Sequence, residues 1–134
     1  MTLEKSDKIN LSNIRMEKAE DFIADADENL KNGRYRTAIN RSYYAILSAS
    51  RSLLILEGFN PLSHEGIVTM LSLHFVKKEL LPVSLIKSYK KLYAMRTDAD
   101  YGDFDLPSED DARDSVLTAK DITAAINNAR KAMM

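Results

Sequence analysis

Between Arg34 and Glu57 the chain carries apolar side chains on most sides of a helical wheel. Ile39, Tyr43, Tyr44, Ile46, Leu47 and the run Leu53-Leu54-Ile55-Leu56 leave little polar surface, and Gly58 stops the segment. A helix lying on a protein surface needs only one apolar stripe; one apolar on most sides is central and has to be buried by several neighbours. The run Ser48-Ala49-Ser50 supplies small residues where another helix can approach closely. The fold must therefore supply several further helices to surround this one.

The rest of the chain supplies them. Residues 12–32 repeat Met16, Ala19, Ile23, Ala26 and Leu30 at alternating steps of three and four, with Phe22 widening the stripe. Asn32-Gly33 is an ordinary helix stop, since glycine accepts positive φ. Pro61 breaks the chain, and Ser63 is a candidate N-cap for a third helix faced by Ile67, Met70, Leu71 and Leu73 and ending near Leu80. Pro82 suits the first turn of a fourth helix, with Leu85, Ile86, Tyr89, Leu92 and Tyr93 inward and Lys87, Lys90 and Lys91 outward. Pro107 and Ser108 open a fifth, with Asp111 completing a capping-box relative. Ala112, Val116, Ala119, Ile122, Ile126, Ala129 and Met133 form its stripe. No segment alternates with period two. The expectation is an all-α, up-and-down bundle of four to five helices in one domain spanning 1–134, with 1–11 flexible.

Composition narrows the function classes. The 134 residues suffice for a sizeable core, and the absence of cysteine excludes disulfides and thiolate metal sites. The first ten residues lack the apolar core of a secretory signal and no run is long enough to span a membrane, so a cytoplasmic, membrane-free protein is expected. A net charge of −1 gives no global field toward nucleic acid. The local distribution is uneven: six basic residues between Val76 and Arg96 face one acid, whereas nine acids between Thr97 and Asp121 face Arg113 and Lys120.

Several residues stand out within that pattern. Arg96 and Asp100 are four apart and would pair on a continuing helix, either as a tie for the helix end or as part of a site. Tyr101 either staples the following loop to the bundle or belongs to the same site. Tyr43 and Tyr44 read as core aromatics, while Arg41 on so apolar a helix requires a carboxylate or a surface groove. His64 follows an N-cap, where the helix dipole disfavours the imidazolium; it is a neutral base, a ligand or a member of a local hydrogen-bond network. His74 is a weaker candidate. The acids Asp98, Asp100, Asp103, Asp105 and Glu109 do not make a calcium loop, because Asp103 occupies the position where that turn needs glycine. No metal or other cofactor is implied.

Two stretches resemble the HEPN domains, small helical bundles named for higher eukaryotes and prokaryotes nucleotide-binding. The segment 39–68 has Arg41, Tyr43, Tyr44 and Ala45, then Gly58, Pro61 and His64, in the order seen in one bacterial and archaeal branch. The segment LYAMRTDADYGDF (92–104) resembles the same branch's Arg…Ala-Asp-Tyr-Gly ending. The resemblance implies a homodimer acting around RNA or nucleotides, in toxin–antitoxin or defence systems, with a minimal nucleotidyltransferase or an antitoxin as partner. Active members are metal-independent endoribonucleases with an Arg followed after four to six residues by His, in a cleft shared by two copies. Here Tyr101 stands where that His would be. A phenol titrating near pH 10 is a poor base where an imidazole near 6.5 is a good one, so binding survives this replacement more easily than cleavage. The resemblance thus assigns Arg96, Asp100 and Tyr101 to a phosphate-handling centre, with Arg41, His64 and Tyr44 as nucleotide or RNA contacts. The alternative is a non-catalytic interaction module that binds a nucleotidyltransferase or a nucleotide.

Overall fold

The structure, a computed structural model, describes residues 3–102 and 106–134. It contains five α-helices and, among the described residues, no strand. They are α1 (Lys5–Lys31), α2 (Tyr35–Leu54), α3 (His64–Leu71), α4 (Val83–Tyr101) and α5 (Glu109–Met133). Among the acids weighed above, Asp103 and Asp105 lie outside the described residues.

Helix α2 is the centre. It packs against α1, α4 and α5 along its length and against α3 near its end. Hydrogen bonds and ion pairs across the bundle give the directions. Arg41 and Ser48 of α2 meet Asp25 and Arg15 of α1, and Asn40 and Tyr44 meet Asp100 and Arg96 of α4, so both neighbours run antiparallel to α2. Arg130 of α5 meets Asn13 of α1 and Lys120 meets Asp27, so that pair is antiparallel too. The four long helices thus form an up-and-down bundle, with α3 a short crosspiece, as the apolar periodicity predicts.

Small residues let α2 sit this deep. Ala38, Ala45 and Ala49 are fully buried, as are Ser42, Ser50 and Ser52. Each of these serine hydroxyls donates to a carbonyl of its own helix, at Ala38, Ile46 and Ala49 respectively. Ser48 instead donates across the interface to the Arg15 carbonyl of α1 at 2.8 Å. Burying an unsatisfied hydroxyl costs about 1–3 kcal/mol, so these bonds are what make serine tolerable here. The main core gathers Tyr43, Ile46, Leu53, Leu54, Ile67, Leu71, Phe75, Tyr89 and Ile126.

The helix stops are where glycine and the caps place them. Gly33 and Gly58 take φ of +72° and +85° directly after α1 and after the 3-10 turn Ile55–Glu57 that extends α2. Ser108 and Asp111 exchange reciprocal hydrogen bonds at 3.1 Å at the start of α5. Some boundaries differ from expectation. Helix α1 begins at Lys5 rather than at 12, because nothing in 5–11 breaks it and Asp7 accepts the Glu4 N–H; the segment expected to be flexible thus holds the first turns of α1. Helix α3 ends at Leu71 and continues as a π turn, Ser72–Val76, closed by the Lys77 N–H on the Ser72 carbonyl. The wider turn rotates the register. Phe75 is buried where Leu73 was expected, and Leu73 is half exposed. Pro82 caps α4 instead of occupying its first turn.

Because Ala49 is fully buried inside this enclosed helix, Ala49→Leu should overpack the bundle. A loss of about 1–3 kcal/mol in denaturant unfolding is expected; an unchanged midpoint would contradict the enclosure.

Candidate functional site

Tyr89, Leu92, Tyr93, Arg96 and Asp100 share the face of α4 that meets α2. Tyr89 and Leu92 anchor that face in the core. Arg96, nearer the helix end, turns its guanidinium back over α2. Its Nη2 donates to the Tyr44 hydroxyl at 2.9 Å, and its Cζ lies 5.2 Å from the Tyr43 ring centre and 5.5 Å from that of Tyr44. A cation this close to two aromatic faces is attracted to both. Nε stands 3.1 Å from Asp100 Oδ2, yet its N–H is not aligned on that oxygen and is left buried without a hydrogen bond. The contact is therefore an ion pair and not a charge-assisted hydrogen bond. Burial works to lower the Arg96 pKa, while the Tyr44 hydroxyl and the nearby Asp100 and Tyr101 raise it, and the net shift is upward. Arg96 is a permanent cation.

Asp100 does not face Arg96 alone. It accepts from Asn40 Nδ2 at 3.3 Å, Asn40 Oδ1 accepts from Arg41 Nη1 at 3.1 Å, and Arg41 Nε donates to Asp25 Oδ2 at 2.8 Å. One polar chain therefore runs from α1 through α2 to α4, alternating in charge. Arg96 and Asp100 keep only 18% and 22% of their side-chain surface exposed, so both their mutual attraction and their desolvation cost exceed those of an exposed helix pair.

The structure thus brings together Arg96, Asp100, Tyr44 and Arg41. Neither of the other two candidates hydrogen-bonds the guanidinium. Tyr101, the last residue of α4, is 72% exposed and its hydroxyl makes no hydrogen bond among the described residues. Five residues beyond Arg96 on a helix of 3.6 residues per turn, it is carried off the α2-facing side. His64 follows the Ser63 cap, whose hydroxyl accepts the Gly66 N–H. Its ring stacks on Tyr93 at 3.7 Å and 14°, with Tyr89 at 5.5 Å and Tyr43 at 6.3 Å. The Tyr43 ring centre lies 5.2 Å from Arg96 Cζ and 6.3 Å from the His64 ring centre. His64 Nδ1 is buried without a partner. Burial is the largest cause of a lowered pKa; Glu65 opposes it and Lys90 adds to it. Burial also pushes the Tyr43 phenol up to about 12, which keeps it neutral and unable to act as a base. His74 stacks on Phe59 at 4.3 Å, well away from this cluster.

Sequence reasoning passed over Asn40, Asp25 and Tyr93 as site residues. Asn40 had a signal, since it sits four residues before Tyr44 on the same face of α2. Asp25 had none, because its pairing with Arg41 spans 16 residues and depends on how α1 and α2 pack. Chemically the site is a preset cation flanked by phenols, suited to an anionic oxygen. Among the described residues it has no imidazole in contact with the guanidinium.

The His64 environment has a pH consequence. A histidine whose folded pKa lies below its ordinary 6.5 disfavours protonation in the native state. Stability is then fully present above the unfolded value and declines as the pH falls from there through the folded pKa. His64→Gln should flatten that part of the stability–pH profile, measured by urea unfolding at successive pH values. Equal slopes in both proteins would mean that the ring is not desolvated.

With this geometry in place, comparison with known proteins is informative. The HEPN domain profile matches residues 12–129. A Methanocaldococcus jannaschii protein described as "Putative toxin" is 31% identical over 119 residues, which is 89% of this chain and 88% of that protein. A "UPF0332 protein" of Thermotoga maritima is 30% identical over 109 residues, 81% of this chain and 83% of its own. A further "UPF0332 protein", from Archaeoglobus fulgidus, is 26% identical over 121 residues, 90% and 93% of the two chains. The match extends from within α1 almost to the end of α5 and includes every residue of the Arg96 cluster, and the chain belongs to the HEPN domain family.

Proposed function

We propose that this chain is a toxin-type HEPN protein whose Arg96 centre binds phosphate groups of RNA or of a nucleotide, at a cleft shared by two copies in the cytoplasm. The observation that carries this reading is the state of Arg96: a charged guanidinium fixed by Tyr44, Asp100 and two aromatic faces, with only one aligned hydrogen bond to protein among the described residues. A fork held in one orientation loses little entropy on gripping a phosphate, and phosphate is the anion whose oxygens match it. The relative described as "Putative toxin" supports the biological class.

Within this reading Arg96 holds the anion, Asp100 orients Arg96, and Tyr44 both orients Arg96 and offers its hydroxyl to the ligand. Tyr101 is exposed and adds a phenol at the rim. Arg41 extends the positive edge while remaining paired with Asp25. Binding is favoured over cleavage. Cleavage of RNA through its own 2′-OH needs a base that is unprotonated at neutral pH and within reach of the hydroxyl. Tyr43 is too basic, and the neutral His64 is stacked behind the tyrosines. A nucleotidyltransferase or antitoxin is the proposed partner, and the pure interaction module is the second reading.

Incubation of the protein with structured and single-stranded RNA in EDTA, beside Arg96→Ala and Arg96→Lys, tests this. Binding should fall by roughly tenfold or more in Arg96→Ala. Arg96→Lys should recover only part of it, since lysine keeps the charge without the fork. Equal binding in all three proteins would remove Arg96 from the function. Arg96-dependent cleavage would replace the binding reading by a nuclease. Separately, the wild-type chain should elute from gel filtration at twice its 15.1 kDa mass, and a monomer would refute the shared cleft.

A further inference from the structure

Helix α2 is enclosed except along one line. Beyond its first turn its partly exposed residues are Asn40, Arg41, Tyr44, Leu47 and Arg51, spaced so that they form a single strip. The Arg96 centre occupies one end. At the other, seven residues and about 10 Å further along the axis, stands Arg51.

Arg51 is paired with a second arginine. Arg15 of α1 reaches across and donates from Nη1 to the Arg51 carbonyl at 3.3 Å, while Arg51 Nη2 donates to Asn60 Oδ1 at 2.9 Å. These bonds have a structural role: a cation at the last turn of α2 complements the helix dipole. They consume one N–H of each guanidinium. Arg51 Nε is buried with no partner. Among the described residues, neither arginine is ion-paired with a carboxylate. Arg41 and Arg96, by contrast, each have one, and Arg113 has two. Two like charges brought together without a counter-charge repel, and burial together with Arg51 lowers the Arg15 pKa. Folding has thus placed two partly exposed arginines close together, the Arg15 guanidinium on the Arg51 carbonyl, with donors to spare and a charge that an anion would neutralise.

We propose that Arg15 and Arg51 form a second phosphate site, so that the open strip of α2 is a track for the backbone of single-stranded RNA running from Arg96 to this pair. The proposal rests on the reading of Arg96 as a phosphate centre and deepens it from a single anion to a polynucleotide. Two arginine forks suit a phosphodiester better than a carboxylate, because a tetrahedral phosphate has oxygens for both. The strip between the ends carries Tyr44 and Leu47, surface that tolerates a base without demanding a sequence. Binding by this track is sequence-tolerant and strongly salt-dependent.

The test uses the full chain and fluorescence anisotropy with a labelled oligouridylate across a salt series. The proteins compared are the wild type, Arg51→Glu, Arg51→Gln, Arg15→Gln and Arg96→Ala. Arg51→Glu places a carboxylate beside Arg15 at the cost of the helix-dipole and Asn60 interactions, so its thermal midpoint should change little while RNA affinity falls by roughly tenfold or more. Arg51→Gln and Arg15→Gln should each weaken binding as well, with the slope of log affinity against log salt reduced by about 0.7 for each phosphate no longer neutralised. Unchanged affinity and slope in all three variants, with binding lost in Arg96→Ala, would overturn the track and leave the Arg96 centre standing. Loss in the Arg15 and Arg51 variants with Arg96→Ala unaffected would retain the pair as an RNA site, but overturn the track and the reading of Arg96. Retention of polyglutamate by the wild type instead of RNA, abolished in Arg51→Glu, would assign the pair to an acidic protein partner and overturn the proposal.

Discussion

The burial of α2 on nearly all sides is the constraint from which the other features follow. A helix enclosed by α1, α4 and α5 can expose no more than a strip, and its enclosed positions must be small or apolar. Alanines and serines meet that demand at Ala38, Ser42, Ala45, Ala49 and Ser52, with each buried serine hydroxyl satisfied by a backbone carbonyl. This is an arrangement of low tolerance. A larger side chain meets backbone on every side, and a hydroxyl deprived of its partner leaves a polar atom in the core. Polar chemistry on α2 can then survive only along the open strip, which is where Asn40, Arg41, Tyr44 and Arg51 stand.

The same enclosure organises α4. Running antiparallel to α2 with Tyr89 and Leu92 locked in the core, it has to present Arg96 above Tyr43 and Tyr44 and Asp100 above Asn40. The guanidinium is oriented by packing more than by its ion pair, since the Asp100 contact is not an aligned hydrogen bond while the two rings and the Tyr44 hydroxyl are in place. A site built this way is rigid on its aromatic side. Its charged side is adjustable.

Much of this was legible in the chain itself, because it follows from local rules. Gly33, Gly58 and the Ser108–Asp111 cap mark helix ends that need no tertiary information, and the stripe of α5 repeats without interruption. The π turn after α3 was not legible, since one widened turn exchanges Leu73 for Phe75 without any change in composition. The pairing of Arg96 with Asp100 was readable from their spacing, and so, by counting turns, was the outward course of Tyr101. The aromatic seat of Arg96, the tie of Arg41 to Asp25 and the meeting of Arg15 with Arg51 bridge residues 16 to 52 apart. They exist only once α1, α2 and α4 have docked. The placement of Arg130 belongs with them: it is buried on Asn13 and Asn127, with no ion pair among the described residues, fastening the end of α5 to α1.

The balance between binding and chemistry at Arg96 can be argued from its partners. On the proposed reading, an incoming phosphate would compete with Asp100 for the guanidinium. Asp100 can yield, because Asn40 continues to hold its carboxylate and Arg41 and Asp25 continue to hold Asn40. Exchange of one anion for another leaves the local charge nearly unchanged and requires no helix to move. Such an exchange would let phosphate be captured and released readily, if Arg96 is the phosphate centre proposed above. Cleavage asks for more: a proton acceptor placed against the 2′-OH at the same moment. The nearest imidazole is committed to stacking on Tyr93, and the tyrosines around the guanidinium include one whose phenol is driven to about 12. On the proposed reading, then, the geometry around Arg96 favours gripping an anion over cleaving a strand, because no imidazole stands ready as proton acceptor beside the guanidinium among the described residues.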